Sequence, residues 1–277
     1  MTHSNLTDQL PSLAPDERID EVNEHIRLIQ KKDGLTYGTD AFLLSAFAPT
    51  HPRARAVDLG SGTGIIPLLL TAKRKVRKVF AVELQPAFCD LIARNAALND
   101  ATEHIHPLCK DVRELSPDDV GGEVDLVLSN PPYMTVDSGK RNLSDAKYIA
   151  RHETAGGIAD FCAAAARLLR YGGKFLTVWR PDRLAELFSA LHAAGLAPKR
   201  IVFVHSDQYS EPSMILLESV RGGAPAMRVS RPLLLSLPLQ EGERTRRSTE
   251  DALEIYRSCS FDSFCSNEIL SKKEKTQ

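Results

Sequence analysis

Apolar runs and stretches of helical periodicity alternate along most of the chain. Runs rich in Val, Ile, Leu and Phe predict buried strands, and apolar residues at every third or fourth position predict helices. Strands separated by helices predict an α/β fold with a doubly wound, mostly parallel sheet that binds ligands at the carboxyl ends of its strands. The predicted elements are strand 26–30, helix 41–48, strand 56–59, helix 63–73, strand 79–82, helix 86–98, strand 105–109, strand 124–129, helix 158–170 closed by a turn at 171–173, strand 173–179, helix 181–194, and strands 199–205 and 213–220.

A glycine-rich turn follows strand 56–59, in the sequence AVDLGSGTG at 56–64. Glycines at Gly60, Gly62 and Gly64 allow a tight turn and a close approach of the backbone to a ligand. Dinucleotide enzymes use a similar turn for pyrophosphate. Asp58 would repel a pyrophosphate, whereas it is suited to a cationic amino-acid group, so the turn is predicted to bind a cofactor carrying such a group.

Carboxylates also end the next two predicted strands. Glu83, followed by Leu84, is placed to accept hydrogen bonds from a ribose diol. Asp111 and Val112 end the strand after that, where a carboxylate and a backbone N–H are suited to reading an adenine edge. These positions are predicted to contact the nucleoside part of a ligand.

The residues Asn130-Pro131-Pro132-Tyr133 directly follow strand 124–129. The two prolines fix φ near −65° and remove two backbone donors, which leaves a corner rich in acceptors. Asn130 offers a side-chain oxygen, Pro131 a carbonyl oxygen, and Tyr133 a flat face on which a base can stack. The motif predicts a site for a planar amino nitrogen. The alternative is an ordinary strand-ending turn, because Asn-Pro is a common turn dipeptide.

Together, these motifs resemble the class I S-adenosylmethionine (SAM)-dependent methyltransferases, with 58–64 as the first motif and Asn130–Tyr133 as the amino-methylating motif. The resemblance implies a Rossmann-like, seven-stranded, mostly parallel sheet with an antiparallel last strand. It also implies SAM as the cofactor and no metal. Asn130 Oδ1 and the Pro131 carbonyl would accept the hydrogens of the target amine, while Tyr133 holds its base plane during direct in-line methyl transfer.

Three further blocks of sequence are informative: Tyr37–Leu44, Ile149–Glu153 and a tail that includes Arg231–Leu235 and Leu253–Tyr256. With these blocks, the chain resembles the bacterial transfer-RNA adenine-N6 methyltransferases that act on adenine 37 of tRNA1(Val), beside the anticodon. The resemblance implies that the segment before the first sheet strand lies over the cofactor, with Tyr37 and Thr39 as cofactor-binding residues. Thr39 or Asp40 is also predicted to cap helix 41–48.

The polar segment Met134–Gly157 follows the amino-methylating motif and is predicted to be an RNA-contacting lid. Its candidate substrate-binding residues, beside Tyr133, are Lys140, Arg141, Arg151 and His152. The alternative for Arg151 and His152 is a solvent-exposed, charged start of a helix. The reaction does not require His152 as a general base, because a methylated amine nitrogen can lose its proton to water.

The Asn-Pro-Pro-Tyr motif identifies a nitrogen rather than a substrate, since enzymes that methylate adenine N6, guanine N2 or a glutamine amide share it. Adenine N6 in tRNA is the favoured prediction. The alternatives are a protein glutamine amide, guanine N2 in ribosomal RNA, and a non-catalytic SAM-fold binding module. About 55 residues precede Asp58, too few for the helical recognition domain of glutamine methyltransferases. Intact Asp58, Glu83 and Asn130 argue against a non-catalytic module.

Length and composition set the organisation of the chain. Its 277 residues suit one α/β domain with extensions: a mobile acidic leader at 1–22, a methyltransferase domain at 23–257 and a polar tail at 258–277. The net charge of −1 argues against a globally basic nucleic-acid binder, so RNA contacts must come from local patches.

The five cysteines form no Cys-x-x-Cys pair, which predicts a reduced, zinc-free cytoplasmic protein. No apolar stretch reaches the length of a membrane span. The family resemblance implies a monomer or a weak homodimer.

Overall fold

The computed structural model describes residues 13–32, 38–131, 156–239 and 245–266. Its central sheet contains seven long strands in the spatial order β5-β4-β3-β6-β7-β9-β8, and β9 is antiparallel to both of its neighbours while the other pairings are parallel. The predicted sheet is therefore confirmed. The strands are β3 (Arg55–Leu59), β4 (Lys78–Glu83), β5 (Ile105–Cys109), β6 (Val124–Ser129), β7 (Leu169–Trp179), β8 (Leu196–His205) and β9 (Pro212–Arg221).

Two short strands extend the sheet beyond the predicted seven. Each is two residues long, and both pair in parallel with β8. They are β10 (Arg228–Val229) and β11 (Leu233–Leu234).

Helices cover both faces of the sheet, because successive side chains of each buried strand point to opposite faces. Ala56 and Leu128 join the core under α1, α2 and α3, whereas their neighbours Val57 and Val127 join the core under α4 and α5. The helices are α1 (Thr39–Phe47), α2 (Ile65–Ala72), α3 (Pro86–Leu98), α4 (Ile158–Leu168), α5 (Leu184–Ala193) and α6 (Glu250–Ser258).

The predicted mobile leader is wrong from Glu17 onward. Residues Glu17–Asn23 form β1, which pairs antiparallel with β2 (Ile26–Lys31) in a separate two-stranded sheet. The buried Glu17 carboxylate lies 2.8 Å from Arg94 of α3, and this guanidinium lowers the pKa of Glu17 to about 2. The polar sequence of β1 hid this strand, because the partners that hold it come from a distant helix.

The turn predicted at 171–173 is also corrected. Tyr171, Gly172 and Gly173 lie within β7, where the pairing with β6 is irregular. Val124 pairs with Leu169 and Leu126 pairs with Lys174. Between these two pairs the chain moves five residues along β7 but only two along β6. The extra residues form a bulge, a distortion that glycines accommodate.

The predicted polar tail contains part of the hydrophobic core. Phe261 and Phe264 are buried, and the Phe261 ring packs edge-on against Phe47 with 5.4 Å between centroids. Arg231 lies over Phe264 and forms two hydrogen bonds with Asp251 of α6. The core therefore extends past residue 257.

Every helix in the described ranges is too short or too polar to span a lipid bilayer. No group of three or more His, Cys, Asp or Glu side chains in those ranges is arranged to hold a metal ion.

Candidate active site

Three adjacent parallel strands bring the main candidate residues to one edge of the sheet. Leu59 of β3 pairs with Val82 of β4 and with Ser129 of β6. The Ser129 hydroxyl donates to the Leu59 carbonyl at 2.9 Å, which ties β6 to β3 at this point. The residues immediately beyond this level are Gly60, Glu83 and Asn130.

The glycine turn is held by backbone hydrogen bonds to β4. The N–H groups of Gly60 and Ser61 donate to the Val82 carbonyl at 3.0 and 2.9 Å. Gly60, Gly62 and Gly64 have φ values of +74°, +55° and +86°, which few other residues adopt without strain. A Cβ at Gly62 would meet no atom within 4 Å, so the turn presents bare backbone to an open space.

Glu83 joins the end of β4 to this turn. Its Oε2 accepts from the Gly62 N–H and its Oε1 from the Gln85 N–H, each at 3.0 Å. Burial raises the pKa of the Glu83 carboxyl, although these N–H donors oppose the rise. Each carboxylate oxygen has a second lone pair, so Glu83 can still accept from ligand hydroxyls.

Asp58 lies beneath the turn and is completely buried. Its Oδ2 accepts from the Ser61 hydroxyl at 2.5 Å, while Oδ1 has no hydrogen-bond partner among the described residues. Burial raises the pKa of Asp58 to about 7, and the neighbouring Glu83 carboxylate adds to the rise. An unpartnered buried carboxylate oxygen is costly unless a donor or a cation reaches it.

Asn130 contacts helix α1. Its Nδ2 donates to Asp40 Oδ2 at 3.0 Å, and the Ala41 N–H donates to Asp40 Oδ1 at 2.8 Å. Pro131, which follows Asn130, is buried. Asp40 thus belongs to the site; the sequence predicted a helix cap here, within a segment expected to lie over the cofactor, but no contact with Asn130.

The predicted start of α1 is wrong, although the Asp40 side chain does accept from a first-turn N–H group, that of Ala41. The helix begins at Thr39, so Thr39 and Asp40 lie in its first turn, and the N-cap is Gly38, which makes no side-chain cap. Thr39 is exposed at the helix start.

Asp111 makes a local ion pair that the sequence analysis missed. Asp111 caps a short 3-10 turn, Val112–Glu114, and its carboxylate binds the Arg113 guanidinium at 2.5 Å. Arg113 holds the pKa of Asp111 below its usual range. The buried Val112 side chain joins the core, and Leu84 is half-buried at the end of β4. The spacing of Asp111 and Arg113 was the available signal, because residues i and i+2 can meet at a turn.

The family model described as "Methyltransferase small domain" matches residues 31–194. This match decides the class of the protein. The chain belongs to the methyltransferase small domain family. It is an S-adenosylmethionine-dependent methyltransferase, and SAM is its cofactor. The core strands β3 to β7 and their helices all lie within the matched residues.

Curated relatives confirm the resemblance inferred from the motifs. A protein of Bacteroides fragilis named tRNA1(Val) (adenine(37)-N6)-methyltransferase is 30% identical over 186 residues, or 67% of this chain and 77% of the relative. A protein of the same name from Parabacteroides distasonis is 30% identical over 224 residues, or 79% of this chain and 88% of the relative.

A solved structure confirms the fold. A predicted O-methyltransferase from Agrobacterium tumefaciens superposes with a TM-score of 0.63 at 20% identity, over 80% of this chain and 97% of that one. The Rossmann-like methyltransferase fold is thereby shown.

The described residues fit SAM. The buried Asp58 Oδ1, which has no partner among the described residues, could accept from an ammonium group, and the Glu83 oxygens retain lone pairs that could accept from ribose hydroxyls. The open space at Gly62 leaves room for a ligand against the backbone. Two neighbouring carboxylates, Asp58 and Glu83, also favour a cofactor that carries positive charge.

Seven candidate residues lie outside the described residues. One precedes α1, and the others belong to the amino-methylating motif and the segment after it. They are Tyr37, Pro132, Tyr133, Lys140, Arg141, Arg151 and His152. Their predicted roles in cofactor binding, catalysis and substrate binding stay predictions.

Proposed function

We propose that the enzyme methylates N6 of adenine 37 in tRNA1(Val). The relatives from Bacteroides fragilis and Parabacteroides distasonis carry this activity in their names, and this chain aligns with 77% and 88% of their lengths. Their similarity supports a tRNA substrate. The hydrogen-bond acceptors of Asn130 and Pro131 support an amino nitrogen as the atom that is methylated.

The observation that carries the proposal is the position of Asn130. Asn130 lies one residue beyond the level at which β3, β4 and β6 are paired, on the same sheet edge as Glu83 and the glycine turn. This position beside Glu83 and the glycine turn, the residues proposed to bind the cofactor, supports a role for the Asn130 amide in methyl transfer. Ligands of doubly wound sheets bind at this edge.

SAM supplies an electrophilic methyl group when it is bound. In the proposed site, Asp58 binds its ammonium group and Glu83 its ribose hydroxyls. Glu83 is the last residue of β4 and Asp58 the last but one of β3, so the two carboxylates would hold the amino-acid and ribose parts of SAM at the sheet edge that also carries Asn130. Fixing the methyl group and the amine in line replaces a bimolecular encounter.

Asn130 and Pro131 act on the amine itself. The lone pair of an exocyclic amine is delocalised into the base, so the planar amine is a weak nucleophile. When Asn130 Oδ1 and the Pro131 carbonyl accept its two hydrogens, they favour a pyramidal nitrogen and stabilise the positive charge that develops on it. A preorganised dipole of this kind contributes about 3 kcal/mol to transition-state stabilisation.

The target adenine must leave its stack to reach Asn130, and Tyr133 would provide an aromatic surface for the extruded base. The net charge of −1 means that contacts with tRNA phosphates come from local basic residues. We assign these contacts to Lys140, Arg141, Arg151 and His152.

We further predict a cytoplasmic enzyme that works without a metal, as a monomer or a weak homodimer.

The test is a methylation assay with labelled SAM and tRNA1(Val) transcripts, followed by mass spectrometry of the nucleosides. We expect N6-methyladenosine in the natural transcript and none when adenine 37 is replaced by guanine. Label in N2-methylguanosine, no labelled nucleoside, or equal labelling of both transcripts would contradict the proposal.

A further inference from the structure

Asp40 is placed to control the direction of the Asn130 amide. One of its carboxylate oxygens accepts from the Ala41 N–H at 2.8 Å and the other from Asn130 Nδ2 at 3.0 Å. Asp40 is anchored in the first turn of α1, while Asn130 lies 90 residues further along the chain. The contact therefore joins a rigid helix start to the end of β6.

The chemistry of the pair determines which side-chain atom of Asn130 faces the helix. An ionised carboxylate only accepts hydrogen bonds, so the Asn130 group that faces Asp40 must be the NH2 group. The amide oxygen and nitrogen diverge from one carbon atom, so Oδ1 then points away from Asp40. A site that uses Asn130 as an acceptor requires this direction, because a flipped amide would present a donor to the donor amine.

Gly38 gives the Asp40 carboxylate the room that it needs. A Cβ at position 38 would lie 2.6 Å from Asp40 Oδ1, closer than atoms tolerate. The backbone of Gly38 does not itself require glycine, since its φ is −112° and its ψ is 176°. The absent side chain therefore serves the position of the carboxylate rather than the path of the chain.

We propose that Asp40 is a positioning residue, which holds the Asn130 amide with its oxygen toward the methyl-accepting amine, and that Gly38 keeps the Asp40 carboxylate in place. This inference rests on the proposed amino-methyl transfer. Asp40 makes no contact with the reacting atoms in this scheme and acts only through Asn130.

Asp40→Asn is the most informative single substitution, because it changes one acceptor into a donor with almost no change in size. The Ala41 N–H needs an acceptor, so the new amide oxygen takes that place. The new NH2 group then faces Asn130 and can bond only to its Oδ1, which turns the Asn130 amide round. We expect kcat to fall about 100-fold, as for loss of one preorganised polar group.

Exchanging the two residue types at positions 40 and 130 should restore an acceptor for the target amine. Asn130→Asp alone places two carboxylates about 3 Å apart, and their repulsion should disturb both. In the double variant Asp40→Asn/Asn130→Asp, the amide at position 40 donates to one oxygen of the new carboxylate. The second oxygen remains to accept from the amine. We expect the double variant to be at least about tenfold faster than either single variant.

Gly38→Ala tests the support for the carboxylate. The added methyl group should push aside the end of the Asp40 side chain at little cost in stability, and kcat should fall about tenfold. In the Asp40→Asn background, where the orienting contact is already lost, the same change should have almost no further effect. Such non-additivity is expected of residues that act through one contact.

The experiment measures kcat on tRNA, SAM dissociation constants by calorimetry and Tm for the full-length wild type and these variants. Asp251→Asn is the matched control, because Asp251 also lies in the first turn of a helix but pairs with Arg231 instead. We expect SAM affinity and Tm to stay close to wild type in Asp40→Asn, and the control to keep full activity.

Three outcomes would overturn the inference. They are a wild-type kcat for Asp40→Asn, a double variant no faster than Asn130→Asp, and a loss of Tm and SAM affinity that parallels the loss of kcat. An inactive wild type on tRNA would instead refute the proposed function, and the inference with it. An active wild type with an equally active Asp40→Asn variant would refute the role of Asp40 alone.

Discussion

The cofactor side of the site (Asp58, the glycine turn Gly60–Gly64 and Glu83) and its acceptor side (Asp40, Asn130 and Pro131) differ in how they are assembled. On the cofactor side, the bonded partners are close in sequence: Ser61 binds Asp58 three residues away, and Gly62 binds Glu83 across 21 residues. On the acceptor side, 90 residues separate Asn130 from Asp40. A short motif can therefore form most of the cofactor side, whereas the acceptor side depends on correct packing of α1 against the sheet.

The electrostatics of the two sides differ as well. Two buried carboxylates with raised pKa values lie on the cofactor side, where a cationic ligand would relieve their repulsion. On the acceptor side, the neutral Asn130 amide donates a hydrogen bond to the Asp40 carboxylate, and this bond forms without a ligand. The cofactor side should therefore respond to pH and charge, and the acceptor side to the direction of a hydrogen bond.

The largest effect should follow from Asn130→Ala, which removes the side-chain acceptor. We expect kcat to fall about 1,000-fold, while the SAM dissociation constant changes less than about threefold. Single-turnover methylation and calorimetry measure the two quantities. The control is Asn99→Ala, since Asn99 bonds to the backbone of Arg27 in the β1–β2 hairpin. Equal losses of turnover and SAM affinity would remove the division between the two sides.

Glu83→Ala should have the opposite effect to Asn130→Ala, because it should weaken SAM binding and leave kcat nearly unchanged. The loss of a charged acceptor should weaken SAM binding about 10- to 100-fold, since each hydrogen bond to a charged group contributes about 1.5–3 kcal/mol. At saturating SAM, kcat should stay within a few-fold of wild type. Glu123→Ala, which removes an exposed carboxylate paired with Arg221, is the control. An unchanged dissociation constant in calorimetry would contradict the assigned contact with the ribose.

The pH dependence of SAM binding should report Asp58. Its pKa of about 7 means that the carboxyl group of the free enzyme is protonated and neutral at lower pH. A bound ammonium favours the ionised form, so affinity should rise up to about tenfold per pH unit as the pH approaches 7, then level off. Asp58→Asn should flatten this profile. A slope that survives the substitution would assign the titration to another group.

The smallest effect should come from Arg113→Ala. The Arg113–Asp111 pair is half exposed on its arginine side, and solvent screening makes such a surface ion pair weak. Releasing the Asp111 carboxylate to meet the adenine should lower the SAM dissociation constant by less than about fivefold, while Asp111→Ala should raise it. If Arg113→Ala weakens binding, Arg113 itself is the group that contacts the ligand.

The contrast between the two sides also explains what the sequence could predict. Helix α3 has the predicted limits, 86–98, with a proline at its first position, and β6 has its predicted limits because it is a mostly buried apolar run. Strand β5 also has its predicted limits, although only Ile105 in it is buried. The positions of Asp58, Glu83 and Asn130 at one sheet edge follow from the rule for parallel strands.

Features that depend on distant partners were missed. The polar strand β1 is held by Arg94, and Asp40 acquires its partner only when α1 packs beside β6. In the sequence, Asp40 reads as an ordinary acidic residue of a helix start, which the helix dipole explains without any role in the site. The sequence predicts a polar tail around Phe261 and Phe264 because serine and charged residues make up most of residues 258–277.

The most direct test of the account is a crystal structure of the enzyme with sinefungin, which carries an amine in place of the sulfonium methyl group. The account predicts that this amine points toward Asn130 Oδ1 and the Pro131 carbonyl, at about 3–4 Å. The ammonium of the amino-acid end should meet Asp58, and the ribose should meet Glu83. A ligand whose amine points away from Asn130, with Asp58 and Glu83 making no contact, would contradict the central claim.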